Sequence, residues 1–233
     1  RNGLAESFAE WNRSAVRIAK AALEDSSRAG EVLVAGSVST YGRYSGLDTN
    51  TQIDHFRAQG ELLAAEGVDI ILLESLGSTV QTVQSMITAT KDLGLPVWVS
   101  LSCVRNPDTG AVMFGIEESE SSSDPIEIHG PLGECAQEIL AVGGSAVLMM
   151  HSVRDLTGEA VSILHEAYDG PVGAYPNAGY WTKPNWVFVD QVTPPAYLAE
   201  ARQWMEAGAT ILGGCCGVGI EHIRALAAGL KTP

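Results

Sequence analysis

Ala207-Gly208-Ala209-Thr210-Ile211-Leu212-Gly213-Gly214-Cys215-Cys216-Gly217 is the stretch from which the rest of this 233-residue chain is read. Gly208 closes a preceding helical pattern, as glycine does just past a helix end. Residues 209–212 form an apolar run of strand length, and the glycines after it make a turn. Two cysteines then stand side by side. Neighbouring side chains on a strand point to opposite faces, so the two thiols converge only if the backbone bends at them. The flanking glycines permit that bend. Paired thiolates at the mouth of a strand suit a soft or borderline metal such as zinc.

The same unit recurs upstream. Glu66-Gly67 precedes an apolar run at 68–73, Leu93-Gly94 precedes one at 96–103, and Asp169-Gly170 precedes one at 172–175. Residues 32–38 and 146–150 are further strand candidates, and 210–213 is the last. Apolar residues at helical spacing run through 4–25, 53–66, 79–93, 133–141, 158–167 and 196–207. Near-continuous apolar strands between helices predict an α/β fold with a parallel sheet covered by helices. An open doubly wound sheet and a (β/α)8 TIM-type barrel both meet that description. No G-x-G-x-x-G follows any strand. Ser37, Glu74, Ser100, Cys103, His151, Asn177 and Cys215 instead gather at C-terminal strand ends, where barrels build their sites. The expected organisation is a single barrel domain over 1–233 with about six β/α units, the first two of the eight being absent from this chain.

A formal net charge of −14 argues against nucleic acid or an anionic membrane as partner. No apolar run is long enough for a membrane span, and the opening Arg1-Asn2-Gly3 leads into a helical pattern rather than a secretory leader. Cys103, Cys135, Cys215 and Cys216 make no disulfide framework in a chain this long, so a cytoplasmic, reducing location is expected. Residues 105–129, with the acidic run Glu117-Glu118-Ser119-Glu120-Ser121-Ser122-Ser123-Asp124, read as a solvated loop. Residues 179–195 read as a lid over the site or a packed surface loop.

A catalytic zinc takes three protein ligands and keeps one position open. Cys215 and Cys216 supply two, and by strand-end position either Cys103 or His151 supplies the third. Cys135 falls in a helical pattern and reads as core. His55, His165 and His222 read as surface or capping residues. Glu74 either holds a substrate ammonium or caps the next helix, and Asn177 either bonds substrate or sets its turn. Tyr180 and Trp181 are candidate aromatic neighbours for a cationic donor, with lid packing as the other reading.

Taken together, Gly213-Gly214-Cys215-Cys216-Gly217 and the following Glu221-His222-Ile223 resemble the C-terminal signature of the homocysteine S-methyltransferase family. Val34-Ala35-Gly36-Ser37-Val38 with Tyr41-Gly42 resembles that family's third strand and loop. Asp69-Ile70-Ile71-Leu72-Leu73-Glu74 resembles the fourth strand, Val97-Trp98-Val99-Ser100 the fifth, and Tyr175-Pro176-Asn177-Ala178-Gly179 a Tyr-Pro-Asn-Ser-Gly stretch. The resemblance implies a (β/α)8 barrel in which zinc, held by three cysteines, supports methyl transfer from a sulfonium or ammonium donor to the thiol of homocysteine, giving methionine. It implies that Cys215 and Cys216 are ligands and that Glu74 holds the acceptor's amino group. Two features depart from the pattern. Met150-His151 stands where the family has asparagine and its third cysteine, and nothing matches the family's Asp-Gly-Gly first strand.

The expected metal set is therefore His151, Cys215 and Cys216 with zinc as cofactor. Ser37, Glu74 and Asn177 are the expected substrate-binding residues. The partners are a small-molecule thiol acceptor and a methyl donor, and open barrel walls favour association into a homo-oligomer. A zinc hydrolase, a non-catalytic zinc-binding barrel and a redox-active Cys215–Cys216 pair are the competing readings.

Overall fold

Helix starts are set by the polar side chains that precede them. The Asp48 carboxylate accepts the Thr51 amide N–H at 3.1 Å, and the Thr79 hydroxyl accepts that of Thr82 at 3.2 Å, each pairing an amide the helix itself leaves unpaired. The computed structural model describes residues 5–28, 30–40, 46–116, 126–182 and 187–230. A short 3₁₀ turn, Ala5–Ser7, leads into α1 (Phe8–Glu24), β1 (Ala35–Ser39), α2 (Thr49–Ala65), β2 (Ile70–Ser75), α3 (Val80–Thr90) and β3 (Val97–Leu101). There follow β4 (Cys103–Arg105), β5 (Val112–Ile116), β6 (Glu127–Pro131), α4 (Leu132–Leu140), β7 (Ala146–Met150), α5 (Arg154–Ala167) and β8 (Val172–Tyr175). The last elements are β9 (Tyr180–Thr182), β10 (Val187–Val189), α6 (Pro194–Glu206), β11 (Ile211–Leu212) and α7 (Ile220–Gly229).

The main sheet has six strands in the order β1-β2-β3-β7-β8-β11, every neighbouring pair parallel. A doubly wound sheet reverses its strand order at a switch point. Here each new strand joins the same advancing edge, which is the winding of a (β/α) barrel. The described residues supply six such strands where a closed barrel has eight. On the side of β1, Ala35 and Ser37 are exposed, and so are Phe8, Trp11 and Ile18 along α1. Among the described residues, no helix is long and apolar enough to cross a membrane.

Alternation along the strands separates two environments. Ile71 and Leu73 of β2, Val99 and Leu101 of β3, and Val147 and Met149 of β7 are fully buried in one cluster with Met86 and Ile87 of α3 and Leu164 of α5. The intervening positions face the other side of the sheet, and their last members lie toward the C-terminal rim. Glu74 stands opposite both Ser39 of β1 and Ser100 of β3, and Met150 opposite Tyr175.

Two segments read as loops carry strands. Residues 105–129 take part in an antiparallel sheet of β4, β5 and β6, with Phe114 fully buried. The apolar run 112–116 had no helix after it and so did not match the recurring unit; antiparallel pairing needs no crossover helix. The acidic run 117–124 lies outside the described residues, as do Tyr41 and Gly42. Within 179–195, β9 and β10 pair as a hairpin.

The glycines that end α2, α3 and α6 do have left-handed φ, Gly67 at 79°, Gly94 at 78° and Gly208 at 114°, but Gly170 does not. Their tolerance for a side chain differs. A Cβ at Gly94 meets nothing within 4 Å, whereas one at Gly208 would lie 2.8 Å from the His165 ring. Gly94→Ala should therefore destabilise by about 1–2 kcal/mol from backbone strain alone. Gly208→Ala should destabilise by clearly more, read as the difference between the two in urea denaturation midpoints.

Candidate metal centre

Three strand ends meet at the rim. Past β11, the Gly213 amide N–H donates to the Ala174 carbonyl at 2.9 Å, extending the parallel pairing with β8 by one residue. The chains then clasp each other. The Cys215 amide N–H donates to the Pro176 carbonyl at 3.0 Å, and the Ala178 amide N–H donates to the Cys216 carbonyl at 2.8 Å. The Cys216 amide N–H donates to Asn177 Oδ1 at 3.2 Å. From α6 the buried Tyr197 hydroxyl sits between the Gly213 and Pro176 carbonyls, at 2.9 and 3.3 Å. The bend is completed at Gly217, whose φ is 78° and where a Cβ would overlap the Phe188 ring of β10. A side chain there would have to displace that ring, so the ring of the hairpin closes directly on the cysteine turn.

His151 follows β7 and has φ of 43°, one of two non-glycine residues with positive φ among those described. This left-handed conformation is unusual outside glycine, although histidine, asparagine and aspartate adopt it more readily than most. Ser152 braces it. Its hydroxyl donates to the Met150 carbonyl at 2.8 Å and accepts the Cys103 amide N–H at 2.8 Å.

The result is a triangle of ligand atoms. His151 Nδ1 lies 3.7 Å from Cys215 Sγ and 3.5 Å from Cys216 Sγ, and the two sulfurs are 3.7 Å apart. The two sulfurs are not joined in a disulfide, which would need them at about 2.05 Å. Among the described residues, these three form the group able to hold a metal ion. Cys103, the other candidate third ligand, is buried in β4 outside that group, and burial pushes its thiol up to about 12. Cys135 is buried in α4. His222 is a capping residue: its Nδ1 accepts the Gly219 amide N–H at 3.2 Å and its Nε2 meets the Val192 carbonyl at 2.8 Å.

The electrostatics of the triangle call for a cation. The hydrogen bond with Cys216, then burial, push the Cys215 thiol well above its ordinary range, and the charge of Glu74 adds to the push. Two thiolates do not coexist there without a compensating positive charge.

A second group lies on the same face. The Ser37 hydroxyl of β1 donates a short hydrogen bond to Glu74 Oε2, and the Tyr175 hydroxyl of β8 lies 3.4 Å from Glu74 Oε1. Ser100, on the strand position opposite Glu74, is fully buried, and its hydroxyl acts on that of Tyr175. Ser37 and Glu74 are thus brought together, and Glu74 faces the rim rather than capping α3, which Thr79 caps. Asn177 sets the Cys216 turn through its side chain. Tyr180 is half-buried on β9, and the Trp181 side chain lies outside the described residues. Sequence reasoning placed Ser100 at a site-bearing strand end without a specific part to play, and assigned none to Tyr175 or Tyr197. For Tyr175 the signal was present, since it ends a strand two residues after the inward-facing position 173.

A family model described as homocysteine S-methyltransferase matches residues 1–230. The chain belongs to that family. Among homocysteine S-methyltransferase relatives and their kin, a selenocysteine methyltransferase from Astragalus bisulcatus is 24% identical over 211 residues, covering 84% of this chain and 58% of that protein. Homocysteine S-methyltransferase 4 from Zea mays is 26% identical over 238 residues, covering 94% and 65%. The chain therefore spans about three fifths of the length of these relatives. The crystal structure of the homocysteine methyltransferase MmuM from Escherichia coli in its apo form superposes with a TM-score of 0.69 at 24% identity, covering 98% of this chain and 76% of that one. Its metallated form gives a TM-score of 0.62 at 22% identity, covering 95% and 69%. These likenesses establish the TIM-barrel fold of the family in this chain.

Because the Cys215 proton is held more tightly than that of an ordinary thiol, a metal ion bound at the triangle must displace it. Metal affinity should fall as pH falls, and loading the reduced protein at neutral pH should release the Cys215 proton, measurable by pH-stat titration. Cys103 should stay unalkylated by iodoacetamide under native conditions.

Proposed function

We propose that this chain carries the metal and acceptor site of a zinc-dependent methyltransferase, moving a methyl group from a sulfonium or ammonium donor to the thiol of homocysteine or a similar thiol. The observation that carries this reading is the ligand triangle. Two sulfurs bound tetrahedrally to zinc at about 2.3 Å stand about 3.8 Å apart, and such a sulfur stands about 3.5 Å from a nitrogen bound at about 2.0 Å. The separations of 3.7, 3.7 and 3.5 Å match those values with no rearrangement. Three protein ligands leave a fourth position for the acceptor. Metallated MmuM supports a metal in the family, and the mixed nitrogen and sulfur donor set supports zinc over a hard cation.

His151, Cys215 and Cys216 would hold the ion. When bound, zinc lowers the pKa of an acceptor thiol, so that thiolate is present at neutral pH. Glu74 faces the acceptor as the group for its ammonium. The acceptor sulfur forms a bond to the donor's methyl carbon while the bond from that carbon to the donor's sulfur or nitrogen breaks, its electron pair staying with the donor. The donor leaves neutral, so the chain need supply no proton, and none of these residues is asked to act as a general acid. A hydrolase would need a free base beside the metal; Glu74 is already engaged by Ser37 and Tyr175. Histidine in place of a third cysteine makes the ligand set less negative by one charge. It should hold an acceptor thiolate more tightly and leave it less nucleophilic than three thiolates would. Two thiols that must stay reduced also support a cytoplasmic setting.

Zinc K-edge absorption on the reduced, zinc-loaded protein should give two sulfurs plus light-atom neighbours, with a third sulfur on addition of homocysteine. A shell unchanged by homocysteine would overturn the acceptor assignment. Cys215→Ser and His151→Ala should each lower zinc content strongly, and Asn177→Ala should lower zinc affinity about 10- to 100-fold by releasing the Cys216 amide, measured by competition with a chromogenic chelator.

A further inference from the structure

β2 and β8 are not neighbours; β3 and β7 lie between them. Their side chains nevertheless meet, because the sheet curves and Tyr175 reaches across its concave face to Glu74, 101 residues away in sequence. At its other end Tyr175 packs on the strand that leads to the thiols. A Cβ at Gly213 would lie 3.3 Å from Tyr175 Cβ, and the next residue, Pro176, receives the Cys215 amide. One ring therefore reaches from the strand pair that carries the thiols to the carboxylate. The charges of both Cys215 and Glu74 act on its hydroxyl.

Glu74 is held from both sides, Oε2 by Ser37 and Oε1 by Tyr175. The Tyr175 contact, at 3.4 Å, is longer than a typical hydroxyl–oxygen hydrogen bond and leaves room to shorten. Beside Glu74, the buried hydroxyl of Ser100 acts on the Tyr175 hydroxyl, so ring, hydroxyl and carboxylate form one polar cluster. An ammonium at this point would donate to both the carboxylate and that hydroxyl.

We propose that Tyr175 is a positioning residue that fixes the span between the thiol pair and Glu74, and that this span selects aminothiols by the number of carbons between thiol and ammonium. The inference rests on the metal and thiol reading above. An acceptor one methylene too short cannot reach both ends, and one without an amine leaves the charge of Glu74 unanswered. Removing the tyrosine hydroxyl frees the carboxylate to follow a shorter acceptor and so weakens the discrimination.

The test is calorimetric titration of the zinc-loaded full chain with three probes: homocysteine, cysteine, and 4-mercaptobutyrate, which is homocysteine without its amine. The wild type should bind homocysteine tighter than either of the others. Tyr175→Phe should keep its zinc and lower the homocysteine-to-cysteine affinity ratio about tenfold, the scale of one hydrogen bond to a charged group. Glu74→Gln should erase the preference over 4-mercaptobutyrate. Glu74→Asp withdraws the carboxylate by one methylene and lengthens the span, so it should weaken homocysteine binding with no gain for cysteine, and the span is tested even if Tyr175→Phe does not fold. An unchanged ratio, or an equal loss for all three thiols, overturns the role of Tyr175 while leaving the function intact. A wild type that keeps zinc but binds none of the thiols overturns the underlying reading instead.

Discussion

The exchange of amide hydrogen bonds between 174–178 and 213–216 is the constraint on which the site depends. Regular strands send adjacent side chains to opposite faces, so Cys215 and Cys216 could not share a ligand on an undistorted strand. Pairing with the end of β8 continues through Gly213, then passes to Pro176, Asn177 and Ala178, and the cysteine turn is held bent by a neighbour rather than by its own residues. Tyr197 joins the two sides from beneath. The Tyr-Pro-Asn segment is thus as much a part of the metal centre as the cysteines, although it offers no ligand. Breaking this clasp would let the thiols separate without altering either one.

The charge arrangement follows from that geometry. Two thiols forced within 3.7 Å of each other, half-buried and near a carboxylate, resist losing both protons. The site is therefore built as a receptor for positive charge, first the metal and then an ammonium at Glu74. The strong negative charge of the whole chain is spread widely, but at the rim it is concentrated on groups that face one another across the sheet.

Much of this was legible from residue order. The glycine-ended helices and apolar strands encode the parallel winding because each unit is local, and the cysteine pair encodes the metal because adjacent thiols at a strand end have few other uses. In the sequence His151 is preferred over Cys103 only because it stands where the family has its third cysteine, since both close strands and nothing in their local sequence says which strand ends converge. The β4–β6 sheet escaped because its pairing is antiparallel and carries no helix between strands. Tyr175 escaped for a different reason: its partner is far away across a curved sheet, a relation that periodicity does not record. Asn177 was seen, but whether its amide faces substrate or backbone depends on where Cys216 lies.

The left-handed backbone at residue 151 constrains which ligands evolution can try there. A β-branched side chain in that conformation clashes with its own main chain, so valine, isoleucine and threonine are excluded whatever their chemistry. Histidine, asparagine and aspartate tolerate it best, and all three can offer a nitrogen or oxygen donor to a metal. Exchange between nitrogen and oxygen donors at this corner is thus a single conformationally permitted step, while Cys215 and Cys216, locked to each other and to β8, have no comparable freedom. Variation in metal preference within such a site should concentrate on the corner whose backbone is already strained to accept it.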